Sequence, residues 1–317
     1  MKRILAALLL MAALTGCAGE TGGVRPPEEN SRLTVYTCLE EAVYAPLVQE
    51  FEARTGIWTE VRTGTAPELL SGCGDGHCDV LWGCEADLLG SADGDFLPIP
   101  PGTGSLDPMC PSSDTFTSVS LGSLVLIFNS RLIRQNLPTG LNSLLDEAWR
   151  GQIAFADPET TGFSRTALAV LRAELGEDSV SRFAGNLSTL LPDTRAVIEG
   201  VAEGSFCLAL APEDAALRAV ADGASVTVVY PREGVYRIAQ TAALPAAAPH
   251  PQNGARFLAF LQGEDAQRYS LEKSFLDPAA ESMAREVERG VYFDAAAAGQ
   301  AQAALMELWR GVWEDGQ

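Results

Sequence analysis

The chain has 317 residues, with 47% hydrophobic and 20% charged side chains, and its 42 acidic against 22 basic residues give a net charge of −20. This length is about twice the ~150 residues of a common domain, so two lobes with substantial hydrophobic cores are expected and a small disulfide-stapled scaffold is excluded. The composition is typical of a protein that folds in water, and so acidic a chain with no basic stripe excludes nucleic acid as a partner.

The amino terminus predicts export and a lipid anchor. Lys2 and Arg3 precede an apolar run from Ile4 to Leu14, which is shorter than the ~17 to 20 residues of a membrane-spanning helix and typical of a signal peptide. The run is followed by Thr15-Gly16-Cys17, which resembles the lipobox of bacterial lipoproteins, where a peptidase cuts before a lipid-modified cysteine. An ordinary leader with a chance cysteine is the alternative.

We therefore expect residues 1–16 to be a lipoprotein signal peptide and 17–32, rich in Gly, Pro and Glu, to be a flexible tether from the lipid on Cys17. The mature body would be held outside the cytoplasmic membrane, at the cell surface or in the periplasm. Loss of the two basic residues of the leader takes the net charge from −20 to −22.

The cysteine count agrees with an oxidising compartment. The chain has seven cysteines, and without Cys17 an even number remains for disulfides, namely Cys38, Cys73, Cys78, Cys84, Cys110 and Cys207. Cys73 and Cys78 enclose a turn-rich loop that a bridge would close without strain. A zinc site built from Cys73, His77 and Cys78 is the alternative, although it lacks the usual two-residue spacing of zinc ligands.

Strand and helix patterns alternate along the first part of the chain. The predicted strands are 33–37, 57–61 and 79–82, the last ended by Gly83; the predicted helices are 43–51, stopped by Gly56, then 68–70 and 85–89. This βαβαβα order predicts a parallel sheet with helices on its faces and ligand groups at the carboxyl ends of its strands.

A second series follows a Pro-, Gly- and Ser-rich stretch, 97–113, which we interpret as a crossing between lobes. Its predicted strands are 121–128, 152–156, 206–210, 225–230 and 237–244, and its predicted helices are 141–149, 165–175, 195–203, 213–221 and 251–262. The end of the chain, from Asp277, is expected to be mostly helical. The sequence therefore predicts two α/β lobes.

The order of these segments resembles the extracellular solute-binding proteins of ABC importers, in the type II branch that includes ferric-ion, aminoethylphosphonate and sugar-phosphate binders. The resemblance runs from about Leu33 to about Ser274. It rests on Leu33-Thr34-Val35-Tyr36-Thr37, Asp79-Val80-Leu81-Trp82-Gly83, Leu126-Ile127-Phe128-Asn129, Trp149-Arg150-Gly151-Gln152-Ile153-Ala154-Phe155-Ala156-Asp157-Pro158, Gly200-Val201-Ala202-Glu203-Gly204, Val228-Val229-Tyr230-Pro231-Arg232-Glu233-Gly234, and Ala248-Pro249-His250-Pro251 with the apolar segment 255–261.

The resemblance implies a two-lobed type II periplasmic-binding-protein fold that closes on one solute about a hinge of two crossing strands. Lobe 1 would comprise 33–118 and 240–278, lobe 2 would comprise 119–239, and 279–317 would form C-terminal helices. The implied protein is a monomeric binding protein without cofactor, which delivers its solute to ABC permease and ATPase subunits. A lipoprotein that senses a ligand for a membrane receptor kinase is the alternative.

Two other functions are disfavoured by the residues present. Ferric-ion binders of the family use adjacent tyrosines after the strand that corresponds to 206–210, where this chain has Ala211-Pro212-Glu213-Asp214. An enzyme is disfavoured because the only histidines, His77 and His250, accompany no nucleophile elbow or metal-ligand motif.

An anion site is predicted in the segment Thr160-Thr161-Gly162-Phe163-Ser164, because hydroxyls and free amides at the start of a helix suit a phosphate. Plain N-capping by Thr161 or Ser164 is the alternative. The resemblance places this loop in the cleft, with further contacts from Thr63-Gly64-Thr65 and Thr194-Arg195. Glu213, with Asp214, would meet a cationic part of a ligand or merely cap a helix.

The remaining expected site residues lie at the ends of the first and third strands: Thr37, Cys38, Trp82 and Gly83. Trp82 would stack on a ligand or fill the core. In the family's sheet these strands are neighbours, so the resemblance implies a bridge between Cys38 and Cys84, which would leave Cys110 to pair with Cys207.

Overall fold

The structure is a computed structural model that describes residues 31–86, 89, 96–100, 110–274, 276–278, 291–292 and 295–315. The predicted leader, lipidated cysteine and nearly all of the tether lie outside these residues, as does the middle of the predicted crossing at 97–113. Within these ranges no helix is both long enough and apolar enough to cross a membrane.

The strands and helices alternate in mixed α/β order, as predicted. The strands are β1 (Arg32–Thr37), β2 (Trp58–Thr63), β3 (Val80–Glu85), β4 (Phe116–Asn129), β5 (Ile153–Ala154), β6 (Leu208–Pro212), β7 (Val226–Val229), β8 (Tyr236–Ala243), β9 (Asp277–Pro278) and β10 (Val291–Tyr292). The helices are α1 (Glu41–Thr55), α2 (Ala66–Gly72), α3 (Gly162–Leu175), α4 (Asp178–Asn186), α5 (Thr194–Glu203), α6 (Glu213–Ala221), α7 (Pro251–Leu261), α8 (Glu264–Lys273) and α9 (Ala295–Asp315).

One sheet joins these strands in the order β2-β1-β3-β8-β4-β6-β5, with β7 and β9 paired to β4 and β10 paired to β8. The pairs of β1 with β2 and with β3 are parallel, as is the pair of β5 with β6. The pairs of β8 with β3 and with β4 are antiparallel, as is that of β4 with β6. Because parallel strands present their carboxyl ends at one edge, the loops after β1, β2 and β3 lie together.

The strands β4 and β8 connect the two halves of the sheet. Residues 116–124 of β4 pair with β8, whereas residues 124–129 of the same strand pair with β6 and β7. Strand β8 also pairs with β3, in the first half of the sheet. These two strands are therefore the crossing strands that the resemblance implied.

Apolar side chains pack on both faces of each half. On the first half, α1 and α7 cover one face, with Phe51 and Phe257 in edge-to-face contact at 5.0 Å between ring centroids, and α2 covers the other face. On the second half, α3, α4 and α9 cover one face and α5 and α6 cover the other. Burial of these faces on a shared sheet is what drives the fold.

The predicted element boundaries differ from the structure at several places. Strand β3 continues past Gly83 to Glu85, because its pairing with β8 shifts register between Trp82 and Cys84 and so accommodates the glycine. Residues 141–149 form two 3-10 helices rather than one short helix, and helix α3 begins at Gly162, three residues before its predicted start. Helices α4 and α8 were not predicted, and the predicted helix 85–89 lies partly outside the described residues.

Candidate functional site

A cavity of ≈ 530 Å³, called the cleft below, opens between the two halves of the sheet. Its first bank is formed by the carboxyl ends of β1 to β3 and the residues after them: Cys38, Leu39, Glu40, Val43, Gly64, Thr65, Ala66 and Gly83. Its second bank is formed by Thr160, Thr161, Gly162, Phe163, Pro192, Asp193, Thr194, Arg195, Pro212, Asp214, Ala215 and Arg218. The crossing strands supply its floor through Gly122, Ser123, Ile238, Ala239 and Gln240.

The amino ends of five helices reach the cleft, namely α1 and α2 from the first bank and α3, α5 and α6 from the second. A helix amino end carries a partial positive charge and unsatisfied amides, so this arrangement favours a negatively charged occupant. Four of these ends have an acidic residue close by: Glu41 in α1, Glu68 in α2, Asp193 before α5, and both Glu213 and Asp214 in α6.

The amino end of α3 differs from the other four. Neither its N-cap residue, Thr161, nor its first turn is acidic, and, as at α1 and α6, the N-cap side chain makes no capping hydrogen bond. Within the described residues, no hydrogen bond uses the amides of Gly162, Phe163 or Ser164. The positive potential of this helix end is therefore not offset by an acidic residue at its N-cap or in its first turn, and its first amide donors are left for another group.

The loop before α3 is held in a fixed shape by Asp157. Its carbonyl oxygen accepts hydrogen bonds from the amides of Thr160 (3.3 Å) and Thr161 (2.9 Å), and its Oδ1 accepts one from the amide of Glu159 (2.9 Å). Thr160 also donates through its hydroxyl to the same carbonyl, at 3.3 Å. Thr160, Thr161 and Gly162 consequently present themselves to the cleft on an ordered turn.

Arg195 adds a cationic group to the same bank. It lies in the first turn of α5, exposed at the cleft, and it forms no salt bridge with any described residue. An arginine can form a two-pronged, charge-assisted hydrogen bond with a phosphate or a carboxylate.

Arg218 joins the two banks. Its Nη1 donates to Asp214 Oδ2 (2.9 Å) and to the carbonyl oxygen of Ser274 (3.2 Å), and its Nη2 donates to Glu40 Oε2 across the cleft (3.2 Å). Burial raises the pKa of Asp214, while the charge of Arg218 opposes that rise. The acidic groups nearest to this part of the cleft are thus already neutralised in part by Arg218.

Nine of the expected site residues line the cleft: Cys38, Gly64, Thr65, Gly83, Thr160, Thr161, Gly162, Thr194 and Arg195. Gly83 has a φ of 90°, and a Cβ there would lie 2.5 Å from Cγ of Leu39, so this position favours glycine on two grounds.

The other five expected residues do not line the cleft. Thr37 is buried in the sheet between β2 and β3, and Thr63 is exposed at the end of β2. Trp82 packs against Phe257 in the core, which favours the core interpretation of this residue over ligand stacking. Ser164 is buried beneath the first turn of α3, and Glu213 accepts a hydrogen bond from the hydroxyl of Tyr230.

Several polar residues of the cleft were not anticipated, among them Glu40, Ser123, Arg218 and Gln240. The pair of Asp214 and Arg218 has the i, i+4 spacing of a helical ion pair, so a signal for it was present in the sequence. Glu40 contacts Arg218 over a separation of 178 residues, which no local pattern reveals.

In the structure the six cysteines of the described residues carry free thiols, and four of them share one apolar cluster with α2. Cys73 and Cys78 are hydrogen-bonded to each other, and this contact together with burial raises the pKa of Cys78. Cys38 donates to the carbonyl oxygen of Gly83 at 2.8 Å and packs in the same cluster as Cys84.

The structure does not bring Cys110 and Cys207 together. Cys110 packs against Leu121 in the middle of β4, whereas the carbonyl of Cys207 accepts from the amide of Asn129 at the end of that strand. The distance along β4 from Leu121 to Asn129 is roughly 25 Å, whereas a disulfide tolerates at most ~7 Å between the Cα atoms of its cysteines.

Comparison with known proteins identifies the fold and the family. The sequence model of the bacterial extracellular solute-binding protein family matches residues 33–274, and the prokaryotic membrane lipoprotein lipid attachment site matches residues 1–18. No curated protein sequence matches the chain.

Three solved structures are similar over most of the chain. The periplasmic binding protein AfuA from Actinobacillus pleuropneumoniae, with exogenous fructose-6-phosphate bound, has a TM-score of 0.79 and 17% identity, covering 89% of this chain and 98% of that chain. Iron-bound HitA from Pseudomonas aeruginosa has a TM-score of 0.74 and 21% identity, covering 89% and 99%. A two-component system protein described as mediating signal transduction has a TM-score of 0.72 and 24% identity, covering 83% and 92%. These likenesses confirm the predicted type II periplasmic-binding-protein fold.

Proposed function

We propose a function from the premise that this chain belongs to the bacterial extracellular solute-binding protein family and is anchored outside the cytoplasm as a lipoprotein. It is the substrate-binding component of an ABC importer, and it captures a small anionic solute that carries a phosphate or phosphonate group. The solute is held between lobe 1 (33–118 and 240–278) and lobe 2 (119–239) and is then delivered to the permease. The protein acts by binding, without catalysis.

The amino end of α3 is the observation that supports an anionic solute most strongly. It faces the cleft with free amides, no acidic residue in its first turn and two threonine hydroxyls beside it. Arg195 lies on the same bank without a salt bridge to any described residue. Although the whole chain is acidic, exposed charges are screened over about 8 Å at physiological salt, so local groups decide which ion binds.

A ferric ion is a poorer occupant for this cleft. Among the described residues, no three His, Cys, Asp or Glu side chains lie together in a way that could hold a metal. The segment that joins β6 to α6, Pro212 to Asp214, supplies a salt bridge to Arg218 rather than paired phenolate oxygens. HitA is iron-bound, but that likeness supports the shared fold and not a shared solute.

Ligand sensing is the second candidate function, and it is favoured by the similar two-component system protein. A sensor and an importer component use the same two-lobed clamp, so solute binding would not separate them. Affinity purification of the anchored protein from membranes would separate them, since an importer component should recover a permease and its ATPase, whereas a sensor should recover a histidine kinase.

The solute class is tested by thermal unfolding of the mature lipoprotein, from Cys17, in detergent. The compounds are inorganic phosphate, fructose 6-phosphate, aminoethylphosphonate, ferric citrate, amino acids and polyamines. A solute at one hundred times its dissociation constant should stabilise the protein by about 2.7 kcal/mol. We expect a shift with phosphorylated or phosphonate compounds, and a shift with ferric citrate alone would refute the anionic solute.

We also propose two disulfides in the exported protein, between Cys73 and Cys78 and between Cys38 and Cys84, which the shared apolar cluster supports. Cys110 and Cys207 then remain thiols. Peptide mass spectrometry of the unreduced protein should find these two bridges and two alkylatable cysteines.

A further inference from the structure

We propose that the C-terminal helix α9 positions the anion-binding loop through a salt bridge between Arg310 and Glu159. This inference deepens the proposed function and rests on it for the identity of the loop as part of the solute site. The family-model match ends at residue 274, and α9 (Ala295–Asp315) lies after it.

The salt bridge has two prongs. Arg310 Nε donates to Glu159 Oε1 at 2.8 Å, and Arg310 Nη2 donates to Glu159 Oε2 at 2.9 Å. An exposed ion pair with a single contact contributes little, but two parallel hydrogen bonds fix the orientation of both groups. Glu159 lies 151 residues before Arg310, so this contact ties the end of the chain to the cleft.

Glu159 belongs to the turn that presents Thr160 and Thr161 to the cleft. Its amide is held by Asp157 Oδ1, and the next two amides are held by the carbonyl of Asp157. The side chain of Glu159 is the group of this turn that reaches α9. The turn is therefore held from Asp157 within the loop and from Arg310 outside it.

Helix α9 is a firm support for Arg310 because the residues around it are packed in the core. Leu305, Met306 and Trp309 are buried in the apolar cluster that also contains α3 and α4. Trp309 lies 6.0 Å from Phe155, just before the loop, and stacks on Trp313 at 5.6 Å. Because α9 packs against α3, the loop could move relative to α3 only if the salt bridge between Glu159 and Arg310 of α9 broke.

The functional effect is preorganisation. A loop that already holds its binding geometry loses less conformational entropy when the solute binds, so it binds more tightly without any added contact. Arg310 and Glu159 are thus positioning residues, since neither lines the cleft.

The test uses the mature lipoprotein in detergent with Arg310→Ala, Arg310→Lys, Glu159→Gln and the double variant of Arg310→Ala with Glu159→Gln. The matched control is Arg54→Ala, which breaks the exposed salt bridge of Arg54 with Asp265 at 2.9 Å, away from the cleft. Hydrogen exchange of the peptide spanning 155–165 is measured by mass spectrometry without solute, and affinity is measured with inorganic phosphate and fructose 6-phosphate.

We expect exchange of the Glu159, Thr160 and Thr161 amides to be about fivefold faster in both single variants, with no further gain in the double variant. The Arg310→Lys variant should lie between these and the wild type, and the control should match the wild type. Affinity for a bound probe should fall about fivefold in both single variants. If Glu159 acted on the solute only through its charge, the Glu159→Gln variant would instead bind an anion more tightly, because the substitution removes a negative charge.

Unchanged exchange in this peptide would overturn the inference whether or not a probe binds. Equal affinities of the wild type and both single variants for a probe that binds would also overturn it. Faster exchange with no binding of either probe to the wild type would leave the positioning role standing, and it would count against the anionic solute of the proposed function.

Discussion

Replacing Glu40 by Gln should open the cleft of the solute-free protein. Glu40 lies on the first bank, and its carboxylate accepts a hydrogen bond at 3.2 Å from Arg218 on the second bank. No other salt bridge of the described residues joins the two banks at the cleft. Glutamine keeps the size of the side chain and removes its charge, so the variant isolates the ionic part of this contact.

The size of the effect follows from the burial of the pair. The Arg218 side chain is 15% exposed and that of Glu40 is 36% exposed. Fully exposed pairs contribute about 0.2 to 1 kcal/mol, and breaking a fully buried pair costs about 3 to 5 kcal/mol. Because Arg218 keeps Asp214 and the Ser274 carbonyl as partners, we expect a value of about 1.4 kcal/mol, a tenfold rise in the ratio of open to closed molecules.

Small-angle X-ray scattering measures this change. The Glu40→Gln variant should show a larger radius of gyration than the wild type without solute, and a bound solute should bring the two values together. Glu50→Gln is the matched control, because Glu50 pairs with Arg54 within α1 at 2.7 Å, away from the cleft. Identical scattering of Glu40→Gln and the wild type, or equal expansion of the control, would refute this reasoning.

Three further predictions concern the solute site, the core and the response to pH. Arg195→Gln should weaken binding of a phosphorylated solute by about tenfold to a hundredfold, which is the loss expected for a charge-assisted hydrogen bond. Isothermal titration calorimetry measures this affinity, and an unchanged affinity would contradict the prediction. Gly254→Ala should lower the free energy of unfolding in urea by about 1 to 3 kcal/mol, because its Cβ would lie 3.0 Å from a backbone carbonyl oxygen next to β3. The control Gly185→Ala, with nothing within 4 Å of the new Cβ, should be neutral or stabilising. Hydrogen bonds from the amide and hydroxyl of Thr65 hold the pKa of Glu68 below its ordinary value of 4.5. A carboxyl whose pKa is lowered by folding stabilises only while ionised, so the drop in unfolding temperature caused by Glu68→Ala should be largest at neutral pH and should shrink as the pH falls below 4.5.

Local patterns were sufficient to predict most of the fold. The apolar spacing of Val43, Leu47, Val48 and Phe51 predicts α1, and Gly56 ends it with a φ of 69°. Alternating strands and helices predict the parallel pairs of the first half of the sheet, and therefore the rim at which the first bank of the cleft lies.

The two unpredicted helices have different causes. Helix α8 buries Ala266, Gln267 and Ser270, so its inner face is mostly polar and gives no apolar period. Helix α4 buries Val180 and Phe183, which do have helical spacing, but the segment is short and polar around them. Helix α8 therefore forms through packing that no apolar pattern in the sequence indicates, whereas the sequence of α4 did contain a helical pattern.

The second bank was predictable only in part. Thr160, Thr161 and Gly162 could be placed because they precede a periodic apolar segment. The contacts of Glu40 with Arg218 and of His250 with Asp79 join residues 178 and 171 positions apart, and only the folded chain brings them together. The same limit applies to Cys110 and Cys207, whose proposed pairing rested on elimination and not on distance.

The strand β4 has a consequence for how the molecule denatures. Its first residues hydrogen-bond with β8 and its last residues with β6 and β7, so neither half of the sheet is complete without it. A chain segment that belongs to both halves cannot lose its structure in one half and keep all of it in the other. We therefore expect heat or urea to unfold the two lobes in a single cooperative transition, even though the same strand allows them to swing apart.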